Sequence, residues 1–298
     1  MTGRPRGALA AAVTPLRADQ TIDSDAIEPL TDFYAAAGLD GLLVLGTTGE
    51  GVLLSVDERM AVAARYLAAA STRLAVVVHC GAQNTRDTEA LCEHAARSGA
   101  AGIAVIPPPY YALDSASLLA HMLAAARACA PAPFYVYEFE ARSGYSVPVG
   151  VVRELREHAP NLAGLKVSDS PFDKVAPYLI EGLDVFIGAE GLIHQGLAAG
   201  AAGAVSGLAA ALPELTLHAV RERTAAASAT AAQVRTAIQR WPFQSALKTV
   251  LRIRGVPVTP SVRAPLRALS DEETRDLQRL VGELGVDSFQ NTARSAAS

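Results

Sequence analysis

Cysteine is scarce in this chain. There are three in 298 residues, Cys80, Cys92 and Cys129, too few and too scattered for a disulfide framework or a zinc site. Their apolar neighbours suit buried, reduced thiols in a cytoplasmic protein. The six histidines form no His-Glu-x-x-His pattern, and neither a G-x-G-x-x-G nor a Walker phosphate loop occurs, so no metal and no organic cofactor is expected. Basic residues are not in excess: 26 Lys and Arg face 30 Asp and Glu, for a net charge of −4. A nucleic-acid partner would require a basic footprint, and none stands out. Long hydrophobic runs are missing too. Mean hydropathy is +0.22, but it comes from alanine and valine spread along the chain. No uninterrupted apolar run approaches the ~20 residues of a spanning helix, which argues against a membrane partner. The opening MTGRPRGALAAAVTPL carries two arginines without a convincing apolar core and cleavage site, and reads as no signal peptide.

What the chain does have is apolar material, 50% of its residues against 19% charged, enough for a sizeable core and not the composition of a disordered chain. That material is organised. Short apolar runs at 8–16, 41–46, 74–80, 101–107, 133–139, 162–167, 184–189 and 203–207 read as eight strands. Helical patterns lie between them at 25–37, 85–98, 115–129 and 148–158, and a capping-box signal at Ser55 to Glu58 opens another. Strand–helix alternation argues for a parallel sheet, and eight units argue for closure into a (β/α)8 TIM barrel rather than an open doubly wound sheet. About 90 residues follow the last strand, more than one crossover helix needs. Patterns at 213–227, 231–240, 243–254 and 270–284 predict a C-terminal helical extension of about three helices. The expected division is a catalytic barrel over 1–228 and the extension over 229–298, with a fraying polar tail.

A barrel of this kind carries its chemistry at the carboxyl ends of its strands. The polar groups there are Thr14, Thr47, Thr48, Glu50, Tyr110, Tyr111, Tyr137, Arg142, Lys166 and Glu190. No serine triad, cysteine–histidine pair or metal cluster is among them. Lys166 sits in the apolar run Leu162-Ala-Gly-Leu-Lys-Val, where period two turns it toward the barrel interior. Burial disfavours a charged amine, and a neutral one attacks carbonyls to form a Schiff base. Alone, such a lysine more often snorkels to water. Tyrosines and threonines at neighbouring strand ends tip the balance, because they supply hydroxyls for a proton relay beside the amine. Glu50 reads as a structural acid of its turn, and His79 as structural.

These residues also carry a resemblance. Gly46-Thr47-Thr48-Gly49-Glu50, Tyr137-Glu138-Phe139-Glu140-Ala141-Arg142-Ser143-Gly144 and Gly164-Leu165-Lys166, in that order and spacing, resemble the signatures of the dihydrodipicolinate synthase / N-acetylneuraminate lyase family. The segment from Ser245 through Val262-Arg-Ala-Pro-Leu resembles that family's helical tail. The resemblance implies a class I aldolase acting on pyruvate or another 2-keto acid through an imine at Lys166. Tyr137 would shuttle protons, and Thr48 would link it to Tyr111, which in the family can reach in from a neighbouring subunit. Thr47 and Thr48 would hold the keto-acid carboxylate, the backbone at Val205 would border the imine, and Arg142 would meet a second carboxylate at the entrance. A homo-oligomer, tetramer or dimer, is implied. Where the family has Tyr-Asn-x-Pro, this chain has Tyr137-Glu138-Phe139-Glu140, which alters the loop shaping the second-substrate pocket. Val56 and Arg59 lie where lysine-inhibited synthases tend to have histidines, so such inhibition is not expected through them. The leading reading is a 4-hydroxy-tetrahydrodipicolinate synthase, condensing pyruvate with aspartate semialdehyde. The alternatives are a 2-keto-3-deoxy sugar-acid aldolase or dehydratase, and a non-catalytic keto-acid-binding protein.

Overall fold

The computed structural model describes residues 4–285. The expected fraying tail, 291–298, lies outside the described residues. Eight parallel strands close on themselves in chain order: β1 (Gly7–Ala11), β2 (Gly41–Val44), β3 (Ala75–His79), β4 (Gly102–Val105), β5 (Phe134–Glu138), β6 (Leu162–Val167), β7 (Asp184–Ile187) and β8 (Gly203–Ser206). The chain is therefore a (β/α)8 barrel. Alternation along each strand divides the core in two. Leu9, Leu43, Val77, Tyr135, Phe186 and Val205 fill the interior. Leu42, Val44, Val76, Val78, Leu165 and Val167 face the surrounding helices.

Those helices are α1 (Ile27–Ala36), α2 (Val56–Ala70), α3 (Thr85–Arg97), α4 (Ser115–Cys129), the single-turn α5 (Glu140–Ser143), α6 (Val149–His158), the short α7 (Ile193–Ala198) and α8 (Pro213–Glu222). Local chemistry sets their starts. Ser55 and Glu58 close the expected capping box on α2, while Asn84 and Asp114 each accept a backbone N–H at the head of α3 and α4. The β6–β7 crossover has no α-helix. Two 3-10 turns span it, Phe172–Lys174 and Ala176–Tyr178; Pro171 and Pro177 lack the N–H groups a longer helix would use.

Three helices follow: α9 (Ala225–Gln239), α10 (Phe243–Ile253) and α11 (Asp271–Glu283). The sequence patterns put a break between 227 and 231, but the chain turns earlier. Arg223 adopts a left-handed φ of 55° and the Thr224 hydroxyl caps α9. The alanines and Ser228 that follow contain no helix breaker, so α9 runs on through 228–230, and the 228/229 boundary falls inside it. The extension is tied to the carboxyl end of the barrel. Lys248 on α10 makes a fully buried ion pair with Glu50 at 2.6 Å, and the Arg263 backbone N–H donates to the other Glu50 oxygen. Glu50, at φ 56°, is thus the structural acid of its turn. Cys80, Cys92 and Cys129 are buried and unpaired. Among the described residues no helix is long and apolar enough to cross a membrane.

Candidate active site

Lys166 and Tyr137 are direct neighbours across the β5–β6 ladder. Both side chains turn into the barrel, and the Lys166 ammonium stands 4.1 Å from the centre of the Tyr137 ring. Lys166 is 7% exposed and makes no ion pair among the described residues. Beneath it lies an apolar cavity of about 20 Å³ lined by Leu43, Tyr135, Phe186 and Val205 among others. Val205 and Lys166 thus line the same cavity. The motif's glycine has a steric cause: a Cβ at Gly164 would come within 1.8 Å of the Asp184 carbonyl on β7.

The Tyr137 hydroxyl is 3.2 Å from the hydroxyl of Thr47. This is a correction to the expected relay, which ran through Thr48. The turn after β2 sends its two threonines different ways. Thr47 meets Tyr137, while the Thr48 hydroxyl sits beside Gly207, after β8. Burial raises the Tyr137 pKa, but the charge of Lys166, with hydrogen bonds to Thr47, Lys166 and Ser168, outweighs it and holds the phenol below its usual value. His79, which ends β3, sets its ring edge-on to Tyr137 at 5.8 Å and has a ring nitrogen on the Leu45 carbonyl. Burial and the charge of Arg59 push its pKa down to about 3, so the imidazole is neutral and packs the tyrosine in place. Arg59 is itself buried and donates to the carbonyls of His79 and Gly81.

Tyr111 does not join this group within one chain. It is 73% exposed, beside a still more exposed Tyr110 whose φ is 86°. Arg142, on α5, is exposed at the mouth, with its guanidinium 5.7 Å from the Phe139 ring centre. Neither nearby acid neutralises it. Glu140 pairs with Lys174 at 2.7 Å. Glu138 turns to the outer face of β5, where it accepts the Val147 N–H. Buried there, its pKa rises to about 8; the Val147 hydrogen bond opposes the shift and Asp169 and Glu140 add to it.

Arg235, Phe243 and Gln244 were not found from sequence. Glu190, named as a strand-end acid, accepts from the Ser206 hydroxyl at 2.7 Å and from the Leu208 N–H. Gln244 of α10 donates to the Thr47 carbonyl. Arg235 of α9 lays its guanidinium 3.7 Å above the Phe243 ring and 3.5 Å from Glu190. The helical tail thus roofs the barrel mouth, and its periodicity contained nothing to reveal that. Among the described residues no group of three or more His, Cys, Asp or Glu could hold a metal ion.

The constellation is a buried amine, a phenol with a threonine behind it and cations at the rim. The chain's relatives fit that picture. A model of the dihydrodipicolinate synthetase family matches residues 4–284. An uncharacterized DapA-like lyase of Halobacterium salinarum is 33% identical over 295 residues, covering 94% of each chain. The N-acetylneuraminate lyase of Rhizobium meliloti is 34% identical over 285 residues, 92% of this chain and 94% of its own. Among solved structures, YagE, an E. coli K12 prophage protein of the dihydrodipicolinic acid synthase family in complex with pyruvate, superposes with a TM-score of 0.87. It is 26% identical, over 94% of this chain and 98% of that one. With the family matched over nearly the whole described chain, this protein belongs to the dihydrodipicolinate synthetase family and is a class I aldolase-type lyase.

Proposed function

We propose that Lys166 forms a Schiff base with pyruvate or a related 2-keto acid, and that the enzyme makes or breaks a bond at the adjacent carbon. The observation that carries this is the buried Lys166 amine over the Tyr137 ring, with the Tyr137 hydroxyl bonded to Thr47. The amine adds to the keto carbon, and the keto oxygen departs as water once Tyr137 has passed it protons. The resulting iminium draws electrons from C3, so a C3 proton leaves and an enamine forms. In the synthetic direction the enamine attacks an aldehyde carbon, and the aldehyde oxygen takes a proton through Tyr137; cleavage is the reverse. Thr48 and the backbone of its turn hold the keto-acid carboxylate, and Val205 borders the imine.

The leading specific reading is 4-hydroxy-tetrahydrodipicolinate synthase, with aspartate semialdehyde as the second substrate. It is supported by Arg142, which neither Glu138 nor Glu140 ties up, leaving a guanidinium for a second carboxylate. A second reading, a 2-keto-3-deoxy sugar-acid aldolase or dehydratase, is supported by the likeness to the N-acetylneuraminate lyase of Rhizobium meliloti. We further propose a cytoplasmic homo-oligomer, because exposed Tyr111 suits delivery into a second copy's site.

Borohydride reduction in the presence of pyruvate tests the chemistry. A reduced pyruvyl mass is expected on Lys166 alone. No adduct, or an adduct on Lys174 or Lys248, overturns it. Turnover of aspartate semialdehyde then separates the synthase from an enzyme that ignores it and cleaves a keto-deoxy sugar acid.

A further inference from the structure

One pair of buried acids plays no part in the chemistry proposed at Lys166. Glu138 leaves β5 on its outer face and is fully buried, and Asp169, in the loop after β6, is 8% exposed. Glu138 Oε2 accepts the Val147 N–H at 2.8 Å. Oε1 is shut off from solvent and meets no donor among the described residues. The carboxyl hydrogen-bonds instead with that of Asp169. Two bare carboxylates cannot do this, because neither has a hydrogen to give, so one proton must lie between them. Glu138 is the member that keeps it: burial pushes its pKa up to about 8, and the charge of Asp169 adds to a shift that the Val147 hydrogen bond opposes. Asp169 in turn accepts the Glu140 N–H, at 3.2 Å to Oδ1 and 3.4 Å to Oδ2. The result is a continuous chain from Val147 through Glu138 and Asp169 to Glu140. It clasps both ends of the segment 139–147, which contains Phe139, α5 and Arg142. The titratable groups around the pair are Glu140 from α5 and Lys174 and Tyr178 from the two 3-10 turns, while α6 contributes only Val149. Lys174 is tied to Glu140 at 2.7 Å and Tyr178 donates to the Val147 carbonyl, so neither supplies Oε1 with a hydrogen. These residues line a cavity of about 210 Å³ that gives the proton a way to water.

We infer that Glu138 and Asp169 form a proton-held latch on the barrel rim, which docks the turn bearing Arg142 while the shared proton is present and releases it once that proton is lost. Loss leaves a second negative charge beside Asp169 and an unpaired carboxylate oxygen in a dry site, and opening relieves both. An opened latch exposes Glu138 to water, where its carboxyl returns to the ordinary value of 4.5. Opening therefore becomes easier as pH rises from 4.5 toward 8, by at most about tenfold per pH unit, and no easier above that. Amide hydrogen exchange on the full chain from pH 5 to pH 9 measures this, with labelling times shortened as hydroxide rises so that only structural protection is compared. In the wild type the Glu140 and Val147 amides should lose at least about tenfold in protection between pH 5 and pH 8 and then level off. Glu138→Gln carries an N–H for Asp169 at every pH, so its profile should be flat. Asp169→Asn offers an N–H to ionised Glu138, so its profile should be shallower than that of the wild type, and either variant serves if the other fails to fold. A flat wild-type profile, a slope in Glu138→Gln or an undiminished slope in Asp169→Asn overturns the latch. So does exchange of these two amides no faster at pH 8 than the slowest in the barrel, since they would then open only with the whole molecule.

Discussion

As the proposed relay, the Tyr137 hydroxyl stands between two demands, since it must both give and take a proton. Burial makes its anion costly, and the Lys166 ammonium makes it cheaper, leaving the pKa below that of free tyrosine. Tyr137→Phe keeps the ring against His79 and Lys166 but removes the relay. Turnover should fall by about 10²–10⁴-fold, as for other general acid–base groups, while circular dichroism shows the fold intact. The threonines should separate in kinetics: Thr47→Val lowers kcat, whereas Thr48→Val mainly raises the KM for the keto acid. Equal effects would dissolve the division of labour seen in the turn. Glu138 gives a stability prediction. Its folded-state pKa of about 8 lies above the ordinary carboxylate value of 4.5 because burial favours the neutral acid. Between those two values the folded chain holds a proton that the unfolded chain has lost. Stability from this group is therefore full below pH 4.5 and falls as pH rises toward 8, by at most about 1.4 kcal/mol per unit. Glu138→Gln preserves the shape without the titration. Its unfolding free energy relative to wild type should rise from pH 5 to pH 8, as read by urea denaturation. A difference independent of pH would refute the assignment.

At the scale of elements, the extension is part of the site rather than an appendage. Residues from α9 and α10 reach the turn after β2 and the segment after β8, and one buried ion pair fixes them there. Lys248 and Glu50 are both fully buried, and each has a further partner, the Ser261 carbonyl for the amine and the Arg263 N–H for the acid. Removing one member strands the other charge in a dry interior. Lys248→Met should thus cost about 3–5 kcal/mol, while Glu50→Gln with Lys248→Met should cost less than Lys248→Met alone, because no charge is left unpaired. Thermal or urea unfolding of the single and double variants measures this. A double variant as unstable as Lys248→Met would mean that packing, not charge, dominates there.

At the scale of the whole molecule, the exposed Tyr110–Tyr111 pair is the feature one chain does not explain. The loop is anchored, with the Tyr145 hydroxyl donating to the Pro108 carbonyl, yet both rings face solvent. If Tyr111 completes the site of a second copy, chains defective in different residues should rescue each other. Mixing Lys166→Ala with Tyr111→Phe after dissociation and reassembly should recover turnover that neither parent has, because a hybrid combines one chain's Lys166 with the other's Tyr111. Absence of recovery, in a mixture shown to form hybrids, would confine Tyr111 to its own chain.

Eight strands and most helices were legible because their signals are local. Period-two alternation and the Ser55–Glu58 capping box act within a few residues of themselves, and the apolar content demanded a large closed core. Lys166 and Tyr137 were legible for the same reason, since strand parity aims a side chain. The tertiary structure decided what depends on approach between distant segments. Which threonine meets Tyr137 is set by the rotation of one turn against β5, and both hydroxyls look alike in sequence. That Arg235, Phe243 and Gln244 share the mouth with Thr47 and Glu190 depends on how α9 and α10 dock, guided by the buried Lys248–Glu50 pair, whose partners lie 198 residues apart. The break at Arg223 and Thr224 was a local capping signal that the alanine-rich pattern after it concealed. Local chemistry thus determined the elements and the inward aim of Lys166 and Tyr137, while long-range packing, through sterics and the cost of burying charge, determined the company those side chains keep.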